Sequence, residues 1–307
     1  MEKVNFEGWP NCIRLSNREI ELIITTDVGP RIIRCGFINK QNLLYVSERE
    51  KGLTWGSQWH IYGGHRLWHA PEVMPRTYSP DNYPVEYKWD GHILKLIQPV
   101  ESTTGIIKEM DITLDTEMNH VNIIHRLINK NLWTIETCPW AITAHAAGSR
   151  AILPQEPYVD PADNLLPARP VVLWNYTHMN DKRWIWGNKY IQLKHDSSIS
   201  SEQKLGILNK QGWTACLLND TIMIKHFEFN PDAAYPDYGC NNEVYVNGDL
   251  LEIETLGPVT KLAPESAVEH TEQWFITTLE DHLDEEDETS IEKILLPHIQ
   301  SFNNLLL

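Results

Sequence analysis

Apolar and polar residues alternate with a period of two along most of the chain, in short segments bounded by Gly, Pro, Asn and Asp. This alternation is typical of antiparallel β-strands, whose successive side chains point to opposite faces of a sheet. One face of an early segment, for example, carries Ile20, Leu22 and Ile24. The pattern predicts strands at residues 31–38, 42–47, 93–98, 106–114, 121–128, 135–145, 190–194, 213–218, 222–229, 250–255 and 269–277.

Patterns of long amphipathic helices are absent before residue 285, and a parallel sheet would need such helices between its strands. The chain is therefore predicted to be all-β, a large antiparallel β-sandwich that forms one domain over residues 1–280. Residues 281–307 are predicted to be an acidic linker and a short C-terminal helix packed on the sandwich. Thr289 and Glu292 fit a capping box at the start of that helix. Between strands, the proline-rich stretch 153–171 predicts a long ordered excursion near the site mouth.

Composition narrows the classes of partner and compartment. The 26 Lys and Arg against 42 Asp and Glu give a formal net charge of −16, which disfavours nucleic-acid and anionic-membrane binding. The five cysteines are widely spaced, without a C-x-x-C pair, as expected in a reducing compartment. Neither a signal peptide nor an apolar run of membrane-spanning length is evident. We therefore expect a soluble cytoplasmic protein; its oligomeric state is left open.

Residues 59–72 form the stretch densest in chemically active groups, with three His and two Trp beside Arg66 and Glu72. Gly63, Gly64 and Pro71 interrupt regular structure, so the stretch is predicted to be a loop that carries a binding site. The alternative is a structural turn whose Trp residues pack the core.

The spacing His65-x-x-x-His69-x-x-Glu72 raises the question of a metal site, because on a helix the two imidazoles would share one face. Gly64 and Pro71 oppose that helix, and the Glu that follows the first His in metalloprotease motifs is missing. Imidazoles that hydrogen-bond a sugar or another substrate are the preferred interpretation, without a metal.

Two further segments carry candidate chemistry. Small residues surround His145 at the end of a predicted strand, which leaves room for a ligand, although a core His bonded to backbone is the preferred interpretation of this segment taken alone. Alternation places Glu252 and Glu254 on one strand face, and Asn242 and Glu243 fall on a neighbouring turn or strand. An exposed polar sheet face would show the same pattern.

Twelve tryptophans are available to stack on sugar rings or to fill the core. Most are expected to be structural, with Trp59, Trp68 and Trp186 as the candidate exceptions.

Residues 251–275 resemble the closing strands of the galactose mutarotase (aldose 1-epimerase) superfamily, in which a glutamate-bearing strand precedes Leu-x-Pro-Gly-Glu. The segment Leu262-Ala-Pro-Glu265 matches this motif without its Gly. The resemblance implies a β-supersandwich with a sugar cleft on one concave face. It also implies His145 as acid, Glu254 as base, His65 and Arg66 as sugar-binding residues, and no cofactor.

Three hypotheses follow. The first is an enzyme that acts on a free sugar or sugar derivative, an isomerase of the aldose 1-epimerase type. The second is a carbohydrate-binding or sensing module on the same fold, with the carboxylates as hydrogen-bond acceptors. The third is a metal-dependent hydrolase or lyase that uses His65, His69 and Glu72. In the first two, the substrate-binding set is predicted to be His65, Arg66, Trp68, His69, Glu72, Asn242 and Glu243.

Overall fold

Strands make up 44% of the residues, in agreement with the expectation from the alternating pattern that more than a third are strand. The computed structural model describes residues 1–306 of the 307. The elements are β1 Glu2–Phe6, β2 Trp9–Ser16, β3 Ile20–Thr25, β4 Arg31–Phe37, β5 His65–Ala70, β6 Glu86–Trp89, β7 Ile93–Ile97, β8 Ile106–Leu114, β9 His120–Asn129, β10 Ile135–His145, β11 Arg150–Pro154, β12 Val171–Leu173, β13 Trp184–Trp186, β14 Tyr190–Lys194, β15 Gln203–Ile207, β16 Trp213–Leu218, β17 Thr221–Phe227, β18 Asn242–Val246, β19 Leu251–Leu256, β20 Thr260–Leu262, β21 Ala267–Thr278 and the helix α1 Glu288–Leu306.

Two antiparallel sheets pack as a sandwich, which confirms the predicted fold class. The larger sheet has the order β1-β2-β3-β4-β5-β10-β19-β18-β15-β12, with β20 paired to β10. The smaller sheet has the order β13-β14-β11-β16-β17-β21-β9-β8-β7-β6. Inward-facing residues of both sheets form the core; Leu205, Val244 and Ile253 of the larger sheet pack with Leu193 and Cys216 of the smaller one. Such interdigitation of two inner faces is the usual core of a β-sandwich.

The His-rich stretch departs from its predicted loop conformation. Residues 65–70 form β5, which pairs with β4 and β10 in the middle of the larger sheet. The hydrophobic alternation of a strand is not visible in the sequence here, because two of the three inward-facing positions are His65 and His69 rather than aliphatic residues. Glycine remains important next to the strand, since a Cβ at Gly64, which has φ +71°, would lie 2.2 Å from the Ile32 carbonyl oxygen. The prediction that this stretch is not a helix is confirmed.

The proline-rich excursion contains neither strand nor helix between the end of β11 and the start of β12. Its far end leads through β12 to Trp174 and Tyr176, which belong to the candidate site described below. Among residues 1–306, no helix is long and apolar enough to cross a membrane.

The C-terminal helix packs on the outer face of the smaller sheet through Ile291, Leu295 and Ile299. Its cap differs from the prediction, because Asp287 Oδ1 accepts a hydrogen bond from the Thr289 amide at 2.9 Å. Asp287, the last residue of the acidic run before the helix, therefore takes the N-cap role assigned to Thr289.

Candidate functional site

The outward-facing residues of β5, β10 and β19 form a continuous surface. Ile142 lies opposite Arg66 on one side and opposite Glu254 on the other, and Trp140 lies opposite Trp68. Because neighbours along a strand alternate between faces, these side chains point away from the smaller sheet.

An outer-face cavity of about 470 Å³ lies over this surface. Its aromatic residues are Tyr45, Trp59, Trp68, Tyr78, Trp140, Trp174, Tyr176 and Tyr245. Its charged residues are Arg66, Glu72, Glu202, Lys204, Asp249, Glu252 and Glu254. Aromatic walls with a few convergent polar groups are typical of small-molecule sites and suit the C–H faces of sugar rings.

Arg66 and Glu252 form a buried ion pair in the wall of the cavity. Nη1 of Arg66 lies 2.9 Å from Oε1 of Glu252, and the guanidinium carbon lies 4.7 Å from the centre of the Trp68 ring. Nε of Arg66 is buried without a hydrogen-bond partner. An orphaned donor of this kind costs free energy unless a ligand or water supplies an acceptor.

Lys204 is held between two carboxylates and two indole rings. Its Nζ lies 2.9 Å from Oε2 of both Glu243 and Glu254. The rings of Trp140 and Trp174 lie 4.7 and 4.8 Å away. Burial disfavours the ammonium, but the two carboxylates outweigh burial and raise the pKa of Lys204 well above its ordinary value. Lys204 therefore stays charged and is unsuited to act as a nucleophile.

One carboxylate oxygen of Glu254, Oε2, accepts hydrogen bonds, whereas the other, Oε1, has no hydrogen-bond donor among the described residues. The Trp140 indole and the Lys204 ammonium both donate to Oε2, at 2.8 and 2.9 Å. Burial raises the pKa of Glu254 despite Lys204, and burial likewise raises the pKa of Glu243 well above its ordinary value. The Trp140 and Lys204 donors favour the ionised form of Glu254. Oε1 of Glu254 can accept a proton from a bound hydroxyl group.

Four of the predicted site residues meet in the cavity lining, namely Arg66, Trp68, Glu72 and Glu254. Glu243 lies directly behind them, fully buried against Lys204. Of the tryptophans singled out, Trp59 also lines the cavity, whereas Trp186 lies outside it and donates to the Met179 carbonyl oxygen.

His145 does not meet Glu254, which corrects the predicted acid–base pair. Glu254 lies opposite Ile142, whereas His145 lies opposite Leu251, a residue of the inter-sheet core. The three-residue offset from Ile142 turns the His145 side chain to the inner face. Burial lowers its pKa to about 3. The sequence interpretation that fits is the alternative of a core histidine.

His65, His69 and Asn242 are also predicted to bind the substrate, but they do not line the cavity, because each side chain is buried below its surface. His69 Nε2 lies 3.3 Å from Glu101 Oε2. The Asn242 amide donates to the Glu254 backbone carbonyl at 2.9 Å and so fixes the pairing of β18 with β19. With His65 and His69 inside and Glu72 exposed at the cavity, these three residues do not converge on one metal.

His65 belongs instead to a buried network that joins the two sheets. Lys225 Nζ lies 2.7 Å from Glu272 Oε1 and donates to Thr143 Oγ1 at 2.8 Å. The Thr143 hydroxyl donates to Nδ1 of His65, and Nε2 of His65 donates to Nε2 of His125 at 2.6 Å. Nδ1 of His125 donates to a backbone carbonyl at 2.9 Å, which fixes both tautomers.

This network also contains a group of potential metal ligands, since one ligand atom from each of His65, His125 and Glu272 lies within 4.8 Å of the others. The facing imidazole nitrogens already bond each other, and Glu272 is neutralised by Lys225. A divalent cation would place two further positive charges in a buried cluster whose ionised groups are already paired. The donor set therefore fits a structural hydrogen-bond network better than a metal site.

Several site residues escaped sequence reasoning, chiefly Lys204, Trp140, Trp174 and Tyr176. Lys204 lies on β15, a short strand that the alternating pattern did not reveal. Trp140 shares its face with Ile142 in a predicted strand, so parity could have assigned it once the outward face was known. The same parity did identify Glu252 beside Glu254.

A scan against models of known protein families finds no match, and a search of curated proteins finds none either. Solved structures do match. A galactose mutarotase-like protein from Lactobacillus casei aligns with a TM-score of 0.56 and 8% identity over 87% of this chain and 100% of its own. A galactose mutarotase related enzyme from Lactobacillus acidophilus gives 0.52 and 8% over 87% and 97%. A galactose mutarotase-like protein from Clostridium acetobutylicum gives 0.51 and 10% over 87% and 95%.

Proposed function

We propose, starting from the galactose mutarotase-like fold of this chain, that its outer-face cavity binds a free sugar and interconverts the two anomers, as an aldose 1-epimerase does. The observation that carries the proposal is Glu254, whose Oε2 is held by two donors while Oε1 remains available. The carboxylate lies in a cavity with eight aromatic residues in its lining. The fold-level likeness supports the sugar, and the site chemistry supports the reaction.

In the proposed reaction, Glu254 takes the proton of the anomeric hydroxyl as the C1–O5 bond of the ring breaks and a carbonyl forms at C1. The ring oxygen takes a proton from a water molecule, which recovers that proton in the reverse step. Rotation about the C1–C2 bond and the reverse steps return the proton from Glu254 to the new anomer. The raised pKa of Glu254 brings the base closer to working pH, where general-base catalysis is most effective.

Exchange spectroscopy by NMR tests the proposal directly. Glu254→Gln is expected to lower the protein-dependent anomerisation rate by about 10²-fold or more while sugar binding persists, because the amide keeps the shape but is far too weak a base. Glu86→Gln, an exposed carboxylate on the smaller sheet, is the matched control and should leave the rate unchanged. Full activity in Glu254→Gln would exclude Glu254 as the base.

A specific observation also favours the second candidate, a sugar-binding or sensing module. Among the described residues the cavity lining contains no imidazole, and Glu252 and Glu254 both pair with cations. A module of this type would bind sugars in titrations, while the wild-type protein would leave the anomerisation rate at its buffer value.

A further inference from the structure

We infer that the ligand of the outer-face cavity is an amino sugar, a sugar with a protonated amine, and that the cavity discriminates against phosphorylated and carboxylated sugars. This inference rests on the proposed function, because it takes the cavity to be a sugar site and names the class of sugar. It is carried by the charges of the lining and by which of those charges already have partners.

Both cationic side chains of the lining already form ion pairs within the protein. Arg66 pairs with Glu252, and Lys204 pairs with both Glu243 and Glu254. An anionic group on a sugar would have to compete with these buried carboxylates for their cations. Separating a buried ion pair leaves an uncompensated charge, which is strongly unfavourable.

Three carboxylates at the cavity mouth, in contrast, have no cationic partner among residues 1–306. Glu72, Glu202 and Asp249 are exposed, and none has a Lys, Arg or His nitrogen within 4.0 Å among residues 1–306. Tyrosine hydroxyls orient two of them: Tyr78 donates to Glu72, and Tyr245 donates to Glu202 at 2.8 Å. A neutral hydroxyl fixes the position of a carboxylate but leaves its charge uncompensated.

The mouth also presents an aromatic surface to a cation. Tyr176 lines the same cavity as Glu72 and Glu202. Ammonium groups bind over aromatic faces, most strongly where carboxylates are near. The amine is therefore assigned to the cavity mouth, whose lining includes Glu72, Glu202 and the ring of Tyr176.

The inner part of the cavity supplies an independent requirement for a polyol. Arg66 is 3% exposed, and its Nε is buried without a partner. A sugar hydroxyl oxygen satisfies this donor without disturbing the ion pair with Glu252. One molecule that carries both hydroxyls and an amine matches the inner wall and the mouth together.

Titration calorimetry with matched sugars tests the inference. The probes are glucose, glucosamine, N-acetylglucosamine and glucose 6-phosphate, with the corresponding galactose series in parallel. At low salt and about pH 6, where an amine of this kind is protonated, the amino sugar should bind about tenfold tighter than the neutral sugar and its acetamide. The phosphate should bind more weakly than either. Added salt should narrow these differences, because the mouth is exposed to solvent.

The double variant Glu72→Gln and Glu202→Gln should lose most of the preference for the amine, at about threefold per carboxylate, measured as the ratio of the affinities for the amino sugar and the neutral sugar. Glu86→Gln is the matched control and should keep the preference. Equal affinity for the neutral and amino sugars in the wild type would overturn this inference and leave the proposed function standing. If no sugar of either series bound, both would be overturned.

Discussion

Acidification should destabilise the fold through histidines buried between the sheets, and His145 allows the size of the effect to be worked out. Burial lowers its pKa from 6.5 to about 3, with the nearby Lys225 ammonium acting in the same direction and Glu272 opposing it. The folded pKa is depressed, so the stability that His145 contributes is complete above 6.5 and is lost as the pH falls from 6.5 towards 3. At about pH 5 the unfolded chain binds this proton and the folded chain does not. The loss is about 2 kcal/mol.

Other groups titrate as well, so the test compares wild type with His145→Gln. His270, whose pKa burial also lowers to about 3, adds a loss in the same direction, whereas Glu243 and Glu254 oppose it because the folded state takes up their protons first. Urea unfolding followed by tryptophan fluorescence gives the free energy of unfolding at each pH.

Between about pH 7 and pH 5 the wild type should lose about 2 kcal/mol more than His145→Gln. His92→Gln, at an exposed position, serves as the control and should follow the wild type. A difference between wild type and His145→Gln that stays constant with pH would refute the placement of a neutral His145 in the core.

Three further predictions concern the core and the helix. Glu272→Gln should cost about 3–5 kcal/mol, measured by urea unfolding, because it leaves the fully buried Lys225 ammonium without its partner; a change below about 1 kcal/mol would contradict the buried pair. Leu295→Ala should cost about 2–5 kcal/mol, because this α1 side chain is fully buried against the smaller sheet; an unchanged melting temperature would contradict that packing. All five cysteines are buried, and burial raises the pKa of thiols such as Cys35 to about 12, so a thiol reagent should label them only after urea is added; rapid labelling of the native protein would contradict their burial.

Much of the fold follows from sequence, because a period-two pattern can bury its apolar residues on one side only as a β-strand. Ile20, Leu22 and Ile24 can be buried together only on one face of a strand, and many such strands without intervening helices form antiparallel sheets. The same local rule placed Glu252 and Glu254 on one surface, and both line the cavity. These inferences depend only on residues that are close together in the sequence.

The site could not be read in the same way, because a residue type does not say which face of its strand meets the ligand. His65, His69 and His145 carry suggestive chemistry, yet pairing of β5 with β10 and β10 with β19 turns all three inward. Lys204 and Glu254 are 50 residues apart and meet only because β15 and β19 flank β18. Sequence by itself determined many of the strands and the alternation along them, although it missed β5 and β15; strand order and register, which depend on distant parts of the chain, decided which side chains share the cavity.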